Sequence, residues 1–333
     1  MTDQNKKANP NYDDTLFTSI PLAKIKPDEP LPADVFLKIH NKHIKFKEKN
    51  DTIPSEKFDA LISKNLQFIY VAQEDSSQFL HWIEAVRAKR IAELVEILGV
   101  EYQEEVEAVE EIKERVYETF LAEELNQELV EKLQNNVTDF VSSVSEKETT
   151  IDFLTLLRME NPSIADHSVN VANLSVYLAM VLGHDHQSVL ENIYMGALFH
   201  DYGKAKIPRD ILENRKSNIY SQAINDHPLK GAERIRNLYS IPMPVLTIIE
   251  QHHEQFNGKG FPRGLANKQI YELAQIVSIA NTFDNQATIN ARHYGDQTMY
   301  KLALKFLEYD RGKHFDPQLI QRLTTSLRLA LKC

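Results

Sequence analysis

Cysteine is almost absent: the single one in 333 residues is the last, Cys333. No disulfide can form within the chain, which suits a reducing compartment, and the expected location is the cytoplasm. Long apolar runs are missing as well. No stretch approaches the length of a membrane-spanning helix, and Lys6 and Lys7 are followed by no apolar core, so neither a span nor a signal peptide is expected. Positive charge is scarce, with 38 Lys and Arg against 48 Asp and Glu, a net of −10. That balance argues against a nucleic-acid polymer as partner, because phosphate contacts need clustered cations. A small phosphate-bearing ligand stays open, since a bound cation can reverse the local field.

What is present divides into three parts. Residues 1–75 read as a small α+β domain. "VFLKIHNKHIKFK", Val35 to Lys47, alternates like a hairpin, and His40 and His43 read as exposed upon it. "PSEKFDALISKN" reads as a short helix with Ser55 as N-cap and Phe58, Leu61 and Ile62 inward. "LQFIYVAQ" reads as a buried strand. Residues 76–145 carry Val106, Val109, Val116, Phe120, Leu125, Leu129, Leu133 and Val137 at helical spacing. Their glutamates read as the solvated face of connecting helices, with a partner-binding or dimerising surface as the alternative. Residues 146–333 are helical again, and nine of the twelve histidines fall there. The fold class expected is mainly α: a C-terminal all-α bundle preceded by a small α+β domain and connecting helices.

The chemistry concentrates in "MGALFHDYGKAKIP", Met195 to Pro208, where His200 and Asp201 arrive together near the end of an apolar helix. Neighbours on a helix diverge by about 100°, so adjacent ligands suit two ions bridged by the carboxylate better than one ion gripped by both. Gly203 is expected to end the helix, and Lys204 to present a point charge for phosphate. His167 lies in "SIADHSVNVANLSVYLA", His227 precedes Pro228, and His252 and His253 follow the apolar "VLTIIE". Any one of these reads best as a core histidine. Together, on separate helices, they read as ligands converging on one point.

In order and spacing, His167, "HDYGK", "HP" with "KGAE", "HHEQFNGKGFP", "IVSIANTFDN" and "KHFDP" resemble the HD-GYP family, a branch of the HD metal-dependent phosphohydrolases. The resemblance covers about residues 146–333 and implies an HD-type helical bundle. It implies hydrolysis of cyclic di-GMP to linear pGpG or GMP by a metal-activated bridging hydroxide; the alternative is a weakened module that binds the nucleotide or a signalling protein. It implies two transition-metal ions, iron first, with manganese or zinc as alternatives. Asp201 would bridge them, with His227, His252 and His253 on one ion and His167 and His200 on the other. Asp201 and Lys204 would be catalytic, and Lys204 and Arg292 would meet substrate.

Several positions depart from the family pattern. The late aspartate ligand falls on Asn281, with Asp284 a turn further on. The glutamate that holds a third metal in some members falls on Ser163. The loop aspartate is Asn257, and the tyrosine of the eponymous motif is Phe261. Arg292 matches the substrate arginine only after a shift of about two residues. The metal shell is thus kept better than the substrate rim. Signalling proteins docking on the loop around Gly260–Pro262, and a homodimer, are the further partners expected.

Overall fold

A computed structural model describes the chain except for residues 1–15, 40–41, 65, 123–124, 147–163, 239–240 and 292. His40, Ser163 and Arg292 lie outside the described residues.

The N-terminal part is a four-stranded antiparallel sheet in the order β1–β4–β2–β3, made of β1 (Phe17–Pro21), β2 (Val35–Ile39), β3 (Lys42–Lys47) and β4 (Phe68–Ala72). The hairpin read from the sequence is β2–β3. His43, however, is not exposed: it is buried, its ring stacked on Phe17 at 4.0 Å and set edge-on to Tyr70 at 4.7 Å. Helix α1 (Ser55–Ser63) turns Phe58, Leu61 and Ile62 inward as expected. Ser55 is its first residue, not its cap. Pro54 holds the capping position, and the Ser55 hydroxyl donates to Asp28 at 2.6 Å. Strand β4 buries only Ile69 and Val71, the alternation of a sheet with one covered face.

Three long helices follow: α2 (Ser76–Leu98), α3 (Gln103–Leu121) and α4 (Gln127–Glu146). The bundle beyond them comprises α5 (Ile164–Leu182), α6 (Gln187–Phe199), the short α7 (Arg209–Glu213), α8 (Asn218–Arg236), α9 (Met243–Gln251), α10 (Glu272–Ala291), α11 (Asp296–Tyr309) and α12 (Pro317–Ala330). Helix α5 is central: α3, α6, α10 and α12 all pack on it. Val169, Val171, Leu174 and Leu178 are buried, and so are the polar Ser168, Asn170 and Asn173 around the same helix. A helix covered all round needs partners for its polar groups, and Asn173 accepts from the Tyr194 hydroxyl at 2.8 Å.

The acidic face of the connecting helices is only partly solvated. Glu105 is buried and bonded to Ser143. Glu110 pairs with Arg90 at 2.8 Å and Lys113 at 3.3 Å. Apolar residues from Ile20 on β1 to Leu327 on α12 belong to one buried cluster that joins the sheet to the bundle. No helix among the described residues is long and apolar enough to cross a membrane.

Candidate metal centre

Three imidazoles are aimed by the backbone of their own helices. His200 caps the C-terminus of α6 and His252 that of α9, where the last carbonyls of a helix have no intrahelical amide partner. His200 Nδ1 lies 2.6 Å from the Ala197 carbonyl, and His252 Nδ1 lies 2.8 Å from that of Ile249. His227 sits inside α8, where such a carbonyl is normally taken. Pro228 has no N–H to offer the Ile224 carbonyl four residues back, and His227 Nδ1 fills the gap at 2.5 Å. A carbonyl only accepts, so each Nδ1 carries the hydrogen and each Nε2 presents a lone pair.

Those lone pairs converge. His227 Nε2 and His252 Nε2 are 3.3 Å apart, and Asp201 Oδ1 lies 3.2 Å from the first and 3.6 Å from the second. His200 Nε2 is also 3.6 Å from Asp201 Oδ1. The Nε2 atoms of His200 and His253 are buried without a hydrogen-bond partner. Two sets have ligand atoms mutually within 4.8 Å: Asp201, His227, His252 and His253, and His167, His200 and Asp201. Asp201 belongs to both. Acceptors facing acceptors in a buried site are repulsive unless a cation sits among them, and this nitrogen-rich set with one carboxylate fits a divalent transition metal. The C-terminal ends of α6 and α9 add partial negative charge on the same point.

The protonation states agree with that chemistry. Burial pushes His200 and His253 well below the usual imidazole range and His252 down to about 4, so their rings are neutral ligands at neutral pH. Burial works to raise the Asp201 carboxyl, but Lys204 and His200 beside it hold it well below the carboxylate range. Lys204 Nζ sits 2.9 Å from both Asp201 oxygens. His167 is oriented differently. Its Nδ1 meets Asp284 Oδ2 at 2.6 Å, and that carboxylate raises its basicity against the effect of burial.

The structure therefore brings His167, His200, Asp201, Lys204, His227, His252 and His253 together. Asn281 is buried on α10, with its Oδ1 accepting from Asn285 at 2.6 Å. Asp284, which the sequence offers as a stand-in ligand, holds His167 and accepts from Asn170 at 3.1 Å. Gly203 does not end α6 in a left-handed turn. Its φ is −62°, and a Cβ there would stand 2.1 Å from the His227 carbonyl oxygen. It is required because α8 passes against its backbone.

The loop after His253 winds around two buried glutamates that carry no signal in the sequence. Glu254 accepts from the amides of Arg263 at 2.7 Å and Leu265 at 2.8 Å, while Glu250 pairs with Arg236 and Arg263. The "KHFDP" segment closes the other side, its Lys313 and His314 carbonyls taking the Asn257 and Phe256 amides at 2.9 Å. Gly260 fits because a Cβ would meet Gln255 N at 2.3 Å. The Phe261 ring lies stacked on His253 at 4.6 Å.

Residues 153–319 match the HD domain family. Over 134 residues, 39% of the chain, it is 33% identical to the cyclic di-GMP phosphodiesterase response regulator RpfG of Xanthomonas campestris, of which the match covers 35%. It is 31% identical over 158 residues to the cyclic di-GMP phosphodiesterase PA4108 of Pseudomonas aeruginosa, covering 46% of this chain and 37% of that one. A 32% identity over 130 residues relates it to the 3'3'-cGAMP-specific phosphodiesterase 1 of Vibrio cholerae, covering 38% of this chain and 29% of that one. The chain thus spans about a third of the length of these relatives. The fold of Bd1817, an HDG"Y"P protein from Bdellovibrio bacteriovorus, superposes with a TM-score of 0.63 at 23% identity, over 94% of this chain and 99% of that one. With a histidine and aspartate cluster able to hold metal at the heart of the matched segment, the chain belongs to the HD-domain family.

Proposed function

We propose that this chain is a metal-dependent phosphodiesterase that hydrolyses a cyclic dinucleotide, cyclic di-GMP first, to the linear dinucleotide or GMP. The observation that carries this is the convergence of buried acceptor atoms on Asp201 from α5, α6, α8 and α9. Ions held there would acidify water near neutral pH and neutralise charge on phosphoryl oxygens. His227, His252 and His253 would hold one ion, His167 and His200 the other, with Asp201 shared. Asn281 would join the shell only by releasing Asn285. Lys204, 29% exposed, sets its amine beside the carboxylate, where a phosphate would arrive. Iron is the first choice, with manganese or zinc as alternatives.

A second reading rests on Phe261. Its apolar ring covers one face of His253 and offers no hydroxyl to a ligand, which favours a module that binds nucleotide or a signalling protein with little turnover. Residues 1–75 would then be a regulatory unit joined through the helices of 76–145. One assay separates the two. Protein reconstituted without oxygen with iron or manganese is expected to hold about two ions per chain and to convert cyclic di-GMP, and His200→Ala is expected to abolish turnover. Loaded protein that binds the nucleotide and leaves it intact supports the second reading, and a chain that retains no metal refutes both.

A further inference from the structure

Between the segment at residues 23–27 and helices α2, α3 and α5 lies a half-open cavity of about 70 Å³ that shares no residue with the metal centre. Its lining includes the apolar Ile25, Pro27, Ile83 and Val86. The lining is also charged, and its charges do not cancel. Arg90 and Lys113 are matched by Glu110 and Asp166: Arg90 lies 2.8 Å from Glu110, and Lys113 lies 3.2 Å from Asp166 and 3.3 Å from Glu110. All four side chains are mostly buried, and within the quartet two positive charges balance two negative ones.

Outside the quartet the lining holds three cations, Lys24, Lys26 and Arg87, against one carboxylate, Glu114. Lys26 has no carboxylate within ion-pair distance among the described residues, although Glu110 and Asp166 are close enough to act on it through space. The nearest carboxylate to Arg87 is Glu114, at 3.9 Å, and its buried Nε has no hydrogen-bond partner. The groups that face Lys26 are Arg87 and Arg90 from α2, Glu110, Lys113, Glu114 and Tyr117 from α3, and Asp166 from α5, with Lys24 on its own segment. Burial, with Arg90 and Lys113 nearby, lowers its amine to about 8. A surplus positive charge in a confined cavity favours an anion, and the guanidinium offers donors suited to an oxyanion.

We propose that this cavity is a binding site for a small oxyanion group, phosphate or carboxylate, held by Lys26 and Arg87. A cavity of this volume takes the charged head of a ligand, and the apolar lining residues would receive part of whatever the head is attached to. The site is independent of the phosphodiesterase reading, because it uses none of the metal-centre residues.

The test is made on the full chain, freed of metal by a chelator so that phosphate has no metal to bind. Acylation of Lys26 by an N-hydroxysuccinimide ester at pH 8 is followed by peptide mass mapping. Fluorescence of Trp82, the sole tryptophan, beside the lining Ile83, is read in the same titration. Inorganic phosphate is expected to slow acylation or change the fluorescence saturably, while sodium chloride of equal ionic strength does neither. Acetate in a parallel arm distinguishes a carboxylate site from a phosphate site. Arg87→Gln is expected to raise the half-saturating concentration at least about tenfold, and Lys26→Met to do the same in the fluorescence channel. No saturable response in either channel, an equal response to chloride, or responses unchanged in both variants would overturn the proposal.

Discussion

At the scale of single residues, the metal centre rests on a repeated local device: an imidazole turned back on the carbonyl three residues before it. Its sequence signal is a histidine at a helix end, or one followed directly by proline inside a helix. Both patterns are local, which is why the converging histidines are legible in the order of residues alone. His43 is not legible that way, because the assembly of all four strands is needed to bring Phe17 and Tyr70 around it. Lys26 is equally silent in the sequence, and it gives a prediction. Its folded amine, at about 8, lies below the ordinary lysine value, so the native state binds fewer protons than the unfolded chain between the two. The resulting destabilisation is fully present below pH 8 and fades as pH rises towards 10. Lys26→Met is therefore expected to raise stability at pH 7 by about 1–2 kcal/mol, discounted for partial solvent contact, with the gain shrinking at high pH. Urea melts at both pH values check it, and a gain that grows with pH would contradict it.

At the scale of elements, the centre depends on how closely α8 approaches the turn after α6. Gly203 and Gly231 face one another there, a Cβ on either meeting the other's backbone nitrogen at 3.0–3.1 Å. The sequence marks Gly203 as a helix stop, for lack of any sign that a second helix crosses it. Gly203→Ala is expected to push α8 outward, lower stability by about 1–3 kcal/mol and reduce the metal held per chain. Thermal melts with metal analysis of the same sample decide it; an unchanged melting temperature would mean the two backbones separate freely. The loop after His253 is set less by its glycines than by Glu250 and Glu254, whose partners lie 9 to 14 residues away. Such pairings leave no periodicity to read.

Across the whole molecule, the sheet, the connecting helices and the bundle share one apolar cluster, and α5 is common to the charged quartet and the metal centre through the adjacent residues Asp166 and His167. The mainly helical class and the family resemblance are legible because they depend on composition and ordered motifs. The quartet is not, because its glutamate and lysine sit among many solvated ones on α3 and only the arrival of α5 selects them.

The anchoring of the histidines sets an order of departure for any ions they hold. His200, His227 and His252 are wholly buried and fixed by their own helices; His167 is 16% exposed and depends on Asp284, 117 residues away. Chelation is expected to strip metal in two phases, the faster from the His167 and His200 side. Asp284→Asn is expected to hasten that phase about 10–100-fold and leave the slower one alone, as stopped-flow chelator absorbance would record. The slow-leaving ion would then be a lasting part of the fold, and the fast one an exchangeable reagent whose supply sets when the centre is complete.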